Sequence, residues 1–184
     1  MHEAKQDKRE RPAVLAGRTV RGVCVSVAVI VMVIAVSLGV LCGDEQTEPE
    51  LAPLFTLPNL DGDDVSLAEY QGSVVIIDFW ATWCEPCLRM FPEIHALQQA
   101  YADRGVVLLV VSLDKSAEPA LDYLIENGFA TDNVLWGSLD DAREVKALFN
   151  VGGIVHTLII DRAGYIRFSG HPKYLTAELI EVWL

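Results

Sequence analysis

The chain has 184 residues, of which 52% are hydrophobic, and its net charge is −12. An acidic balance of that size repels nucleic acid and anionic lipid, so nucleic acid is excluded as a partner. Of four cysteines, Cys24 and Cys42 lie in or beside one apolar run, which leaves no framework of structural disulfides for the rest of the chain.

That apolar run, Val23 to Leu41, contains no charged residue. It is long enough to cross a bilayer as a helix, which takes about 20 residues. Lys5, Lys8, Arg9, Arg11, Arg18 and Arg21 precede it, and Asp44, Glu45, Glu48 and Glu50 follow it. Basic flanks stay on the cytoplasmic side. Residues 1–22 are therefore expected inside as a basic tail, 23–42 as a transmembrane anchor, and the remainder on the periplasmic or extracytoplasmic side. A cleaved signal peptide fits less well, because no small-x-small site closes the run. Lipidation of Cys42 also fits less well, since Leu41 rather than a small residue stands directly before it. Residues 43–50 are acidic, contain Pro49 and read as a linker, and 51–184 read as one domain. Past the anchor, 8 Lys and Arg face 23 Asp and Glu, a net of −15.

Within the domain, Leu54 to Leu57 and Val65 to Leu67 flank a polar turn and predict a hairpin. Val74 to Trp80 is apolar except for Asp78, the pattern of a central buried strand. A helix is expected from Pro86 to Asp103, kinked at Pro92. Val106 to Leu113 predicts the next strand. Glu118 to Asn127 predicts a helix stopped by Gly128, Asn133 to Trp136 a short edge strand, and Ala142 to Asn150 another helix. Thr157 to Asp161 and Tyr165 to Ser169 form a hairpin around Arg162-Ala163-Gly164, and Thr176 to Leu184 a last helix.

The chemistry sits in Asp78-Phe79-Trp80-Ala81-Thr82-Trp83-Cys84-Glu85-Pro86-Cys87. Two cysteines with two residues between them lie between a strand and the start of a helix. Free N–H groups and partial positive charge at a helix N-terminus stabilise a thiolate. Cys84 is therefore the expected nucleophile, and Cys87 the thiol that resolves a mixed disulfide. A zinc site would need two more soft ligands, and the domain has no further cysteine. Glu85 places negative charge beside Cys84, and Pro86 removes an N–H, so a mildly reducing site is expected.

This frame, with Leu54-Phe55-Thr56-Leu57, Val65 to Gly72, Gly105 to Asp114 and Val151 to Gly164, resembles the TlpA/ResA family of membrane-anchored extracytoplasmic thiol–disulfide oxidoreductases, over residues 51–184. The resemblance implies an α/β thioredoxin-like fold. Its central mixed sheet is flanked by helices, with an added N-terminal β-hairpin and a separate N-terminal transmembrane helix. It implies reduction of extracytoplasmic disulfide proteins, with apocytochrome c a candidate substrate in cytochrome c maturation. A membrane thiol reductase would supply the electrons, and no cofactor is needed beyond the redox-active Cys84–Cys87 disulfide.

The resemblance also implies that Asp78 is buried and takes the proton of Cys87. Trp83, Pro86, Ile154 and Val155 are the implied substrate-binding residues. Two positions depart from the family. Val155 stands where relatives have a cis-proline, and a non-proline cis bond costs about 3–4 kcal/mol, so the Ile154–Val155 bond is expected to be trans. Met90 stands where many relatives carry a glutamate, so Asp78 would carry any proton relay alone. The missing proline leaves a second reading open: a copper metallochaperone of the same fold, with Cys84, Cys87 and His156 as ligands. A peroxidase with a lone reactive cysteine is a third reading, which the CxxC pair argues against. His95 is expected to be solvated, and His171 to lie on the surface.

Overall fold

The computed structural model describes residues 49–184. The basic tail, the anchor and most of the linker lie outside the described residues. Among the described residues, no helix is long and apolar enough to cross a membrane.

The domain is built on β3, Val74–Trp80, whose seven residues are all buried. A strand that is apolar on both faces must be covered on both faces, and its two edges must be paired. β4, Val106–Ser112, pairs parallel with one edge, with Asp78 opposite Val110. β6, His156–Ile160, pairs antiparallel with the other, with Asp78 opposite Thr157. β5, Val134–Leu135, joins β4 in parallel, and β7, Ile166–Gly170, joins β6 antiparallel. The result is a mixed five-stranded sheet in the order β5-β4-β3-β6-β7. Ahead of it, β1, Thr56–Pro58, and β2, Asp64–Ser66, form a separate antiparallel pair. A short 3-10 turn, Leu67–Tyr70, follows, closed by a reciprocal Ser66–Glu69 capping box.

Neighbouring side chains on a strand point to opposite faces. Trp80 stacks on Phe91 of α1, Glu85–Tyr101, and packs against Tyr123 of α2, Glu118–Glu126. Phe79 points the other way, onto Phe149, which caps the C-terminus of α3, Leu139–Leu148. Phe55 meets the same Phe149 ring edge-on and ties the segment before β1 to that layer. α4, Ala177–Glu181, buries Ile180 and closes the domain.

Element ends differ from the sequence expectation where capping decides them. α3 starts three residues earlier than expected, because the Ser138 hydroxyl accepts a hydrogen bond from the Asp141 N–H at 3.1 Å. It ends sooner because Asn150 takes a left-handed conformation, φ 55°. Thr176 is the cap of α4 rather than its first residue, accepting from the Leu179 N–H. α2 stops as expected at Gly128, whose φ of 72° favours glycine.

Pro92 lies inside α1, and the helix continues through it to Tyr101, with a 3-10 turn at Ala102–Arg104 beyond. Proline removes the N–H that would have bonded to the carbonyl four residues back, Leu88. The Tyr123 hydroxyl donates to that carbonyl at 3.4 Å. The partner lost within the helix is thus replaced from α2. Tyr123→Phe keeps the ring against Trp80 and deletes the donor. It should cost about 1 kcal/mol in urea unfolding, and an unchanged unfolding midpoint would show that the Leu88 carbonyl gains nothing from the contact.

Candidate redox site

β3 ends at Trp80, and the chain turns through Ala81–Trp83 into α1. This turn is held from the neighbouring strand. The Asp114 carboxylate accepts from the Thr82 N–H at 3.1 and 3.2 Å, from the Thr82 hydroxyl at 2.7 Å and from the Ser112 hydroxyl at 2.9 Å. Asp114 is 2% exposed, so these donors replace water around its charge. The Trp136 indole N–H donates to the Asp114 carbonyl at 3.0 Å and binds the loop beyond β5 to the same point. Neither Asp114, Ser112 nor Thr82 was singled out from sequence. The available signal was two polar residues closing an apolar strand, Ser112 and Asp114, level with the end of β3.

Cys84 is the N-cap of α1 and is joined to Cys87 by a disulfide. Both are buried, and the Cys87 N–H donates to Cys84 Sγ at 3.3 Å. That N–H is one of the donors an α-helix leaves free in its first turn. A free N–H at a helix N-terminus directed at a sulfur is the kind of donor that stabilises a thiolate. Pro86 is exposed in the same turn. Glu85 is also exposed and pairs with Arg89 one turn on at 3.1 Å, so the guanidinium offsets the negative charge expected to act on Cys84. Trp83, directly before Cys84, is 66% exposed and leaves an apolar ring at the surface.

Asp78 is buried, 2% exposed, on the face of β3 that also carries Trp80 and packs on α1. The Thr157 hydroxyl donates to its Oδ1 at 2.7 Å. Burial raises the Asp78 carboxyl from its ordinary 3.8 to about 7, against the lowering effect of the Thr157 hydrogen bond. A carboxyl poised there can take and return a proton near neutral pH. Met90 on α1 is half-buried, and the glutamates of that helix, Glu85 and Glu93, are exposed, so α1 brings no second buried carboxylate.

The loop before β6 corrects one expectation. The Ile154–Val155 bond is cis, not trans. The preference of an isolated peptide bond is overridden by tertiary placement, because the loop must deliver β6 into register beside β3, with His156 opposite Phe79. That register puts the half-buried Ile154 and Val155 at the end of β3 from which the cysteine turn emerges.

The Cys84, Cys87, His156 ligand set is not assembled. His156 shares the face of Phe79, opposite to that of Asp78, and its Nε2 lies 2.9 Å from Ser169 Oγ. Burial, with Lys146 and His171 nearby, holds its imidazole below the usual range. Among the described residues, no group of three His, Cys, Asp or Glu side chains is placed to hold a metal ion. His95 is not solvated as expected. It is half-buried among Phe91 and Phe129, and its Nε2 has no hydrogen-bond partner.

The raised Asp78 carboxyl links folding to pH. Below pH 3.8 folded and unfolded chains both hold the proton, and the stability due to the neutral acid is fully present. As pH rises toward 7 the unfolded chain alone gives the proton up, so stability falls through that window. At about 1.4 kcal/mol per pKa unit, the loss approaches roughly 4 kcal/mol. Asp78→Asn should remove it, gaining on the native chain as pH rises from 4 to 8 in urea titrations of the oxidised protein. A difference between the two that is flat with pH would contradict the burial argument.

Residues 50–169 match the model of the AhpC/TSA family. The chain is 32% identical over 120 residues to the thioredoxin-like protein YneN of Bacillus subtilis (strain 168), covering 65% of this chain and 69% of that one. It is 31% identical over 116 residues to the thiol-disulfide oxidoreductase ResA of Geobacillus kaustophilus (strain HTA426), covering 63% of this chain and 64%, just under two thirds, of that relative. Among solved structures it is similar to the thioredoxin domain of a thiol-disulfide oxidoreductase from Bacteroides vulgatus, with TM-score 0.63 and 27% identity over 74% of this chain and 99% of that one. A thiol:disulfide interchange protein from Bacteroides sp. gives TM-score 0.63 and 27% identity, over 72% and 88%. The chain belongs to the AhpC/TSA family, as a thiol–disulfide oxidoreductase of thioredoxin-like fold.

Proposed function

We propose that this chain is a membrane-anchored reductase of extracytoplasmic protein disulfides. Residues 1–22 lie inside, 23–42 cross the membrane, 43–50 lead off it and 51–184 carry the chemistry. The observation that carries the reading is the Cys84–Cys87 pair at the N-terminus of α1, with the Cys87 N–H on Cys84 Sγ and a buried acid in the strand beneath.

In the reduced domain, the Cys84 thiolate attacks one sulfur of a partner disulfide. The bond from Cys84 to that sulfur forms, the partner S–S bond breaks, and the other partner sulfur leaves as thiolate and takes a proton. Cys87 then passes its proton to Asp78 and attacks Cys84 Sγ. The Cys84–Cys87 bond forms and the second partner thiolate is released. Two electrons have moved to the partner, and the domain is left with the disulfide seen here. A membrane thiol reductase returns the electrons, and no cofactor beyond the disulfide takes part. Exposed Trp83 and the Ile154–Val155 loop form the docking surface. Apocytochrome c, whose haem-binding cysteines must be reduced, is the proposed partner, in keeping with the resemblance to the ResA family.

Cys84→Ser in the full chain should abolish turnover of a model protein disulfide. Cys87→Ser should accumulate mixed disulfides that dithiothreitol releases. Full turnover by Cys84→Ser would falsify the reading. The direction of electron flow is tested by equilibrating the pair in glutathione and dithiothreitol buffers. A potential near about −270 mV agrees with a reductase, and one near about −120 mV reverses the proposed direction.

A further inference from the structure

We propose that Thr157 is a positioning residue for the resolving step, its hydroxyl holding the Asp78 carboxylate to receive the proton of Cys87 and favouring the ionised form that can accept it. The inference rests on the reading of Asp78 as the acceptor for Cys87, and it adds a residue that neither the cysteine motif nor its spacing reveals.

Thr157 lies directly opposite Asp78 in the β3–β6 register, and directly opposed residues of an antiparallel pair share a face. Its side chain is fully buried, and the 2.7 Å bond to Oδ1 forms where no bulk water competes. A β-branched side chain has few χ1 choices, so the strand register itself aims the hydroxyl. Among the described residues this is the one hydrogen bond the Asp78 side chain accepts.

The surroundings leave few other groups able to do this work. β4 has no titratable residue, and Val110 lies opposite Asp78. On β6, His156 points to the other face. On α1, Glu85, Arg89 and Glu93 are exposed, and His95 is half-buried against Phe91 and Phe129. The buried titratable group that α1 supplies is Cys87, once reduced.

The chemistry follows from the donor's direction. A hydroxyl that donates to a carboxylate stabilises its charged form more than its neutral form. Burial works the other way, raising the carboxyl to about 7 and so favouring the protonated form, which cannot accept. Thr157 offsets part of that burial. When Cys87 gives up its proton, Asp78 binds it, and Thr157 keeps its own throughout. The hydroxyl therefore tunes the acceptor without entering the proton balance.

The test uses the full-length chain in detergent solution, with Thr157→Val as a near-isosteric deletion of the donor. Two readouts are taken between pH 5 and 9. One is the rate of partner release from a preformed mixed disulfide at Cys84. The other is the 13C titration of aspartate-labelled protein, with the Asp78 signal assigned by its loss in Asp78→Asn. In Thr157→Val both midpoints should rise by about one unit, corresponding to roughly tenfold slower release below the midpoint. Thr157→Ser should restore both, and in the Asp78→Asn background Thr157→Val should leave the rate profile unmoved. Should the valine variant fail to fold, Thr157→Ala deletes the same donor. An unmoved Asp78 titration in a folded donor-deleted variant overturns the proposal. A moved titration with an unmoved rate profile overturns the role of both residues in the second step, while leaving the attack by Cys84 standing.

Discussion

The site depends on how the end of β3 is clamped. Seven buried residues in a row can be accommodated only in the middle of a sheet with both faces covered. β4 and β6 close its two edges, and each also supplies a polar group to the redox site. From beyond the end of β4 comes Asp114, which holds the Thr82 backbone and hydroxyl and so sets where α1 begins. From β6 comes Thr157, which reaches Asp78. The strand that carries the buried acid and the turn that leads to Cys84 are thus positioned by the same pairing that makes the core.

Two opposed electrostatic effects meet at the cysteines. The start of α1 favours a thiolate at Cys84, through the Cys87 N–H that already rests on its sulfur. Burial disfavours charge on Asp78, holding its carboxyl near neutrality. A buried carboxyl titrating near 7 can take and return a proton near neutral pH. Glu85, whose charge the motif places beside Cys84, pairs with Arg89 on the exposed side of the helix. Such an exposed pair contributes little to stability, but it directs the carboxylate along α1.

Much of the fold was legible because local chemistry and global position agree. The apolar run Val74–Trp80 with one acid inside it, the CxxC after it and Gly128 at the end of α2 each specify their structure within a few residues. Asp78 was readable as buried because the strand around it is otherwise apolar. Element ends were less legible, since capping by Ser138 and Thr176 competes with periodicity. A helix interrupted by Pro92 was expected to kink. The helix runs on through it, and the Leu88 carbonyl that Pro92 leaves without its helical donor accepts from the Tyr123 hydroxyl, 35 residues further along the chain.

The sequence by itself determined the reaction class and the two sulfurs that carry it, because a dithiol at a strand-to-helix junction is a local arrangement legible from spacing. Only the tertiary structure decided what surrounds them. Strand alternation and register turned His156 away from the cysteines and brought Thr157 to Asp78. Placement of the loop before β6 made the Ile154–Val155 bond cis. The neighbouring strand delivered Asp114 to Thr82. These outcomes depend on pairing between segments 32 to 79 residues apart, and no local propensity encodes such a register.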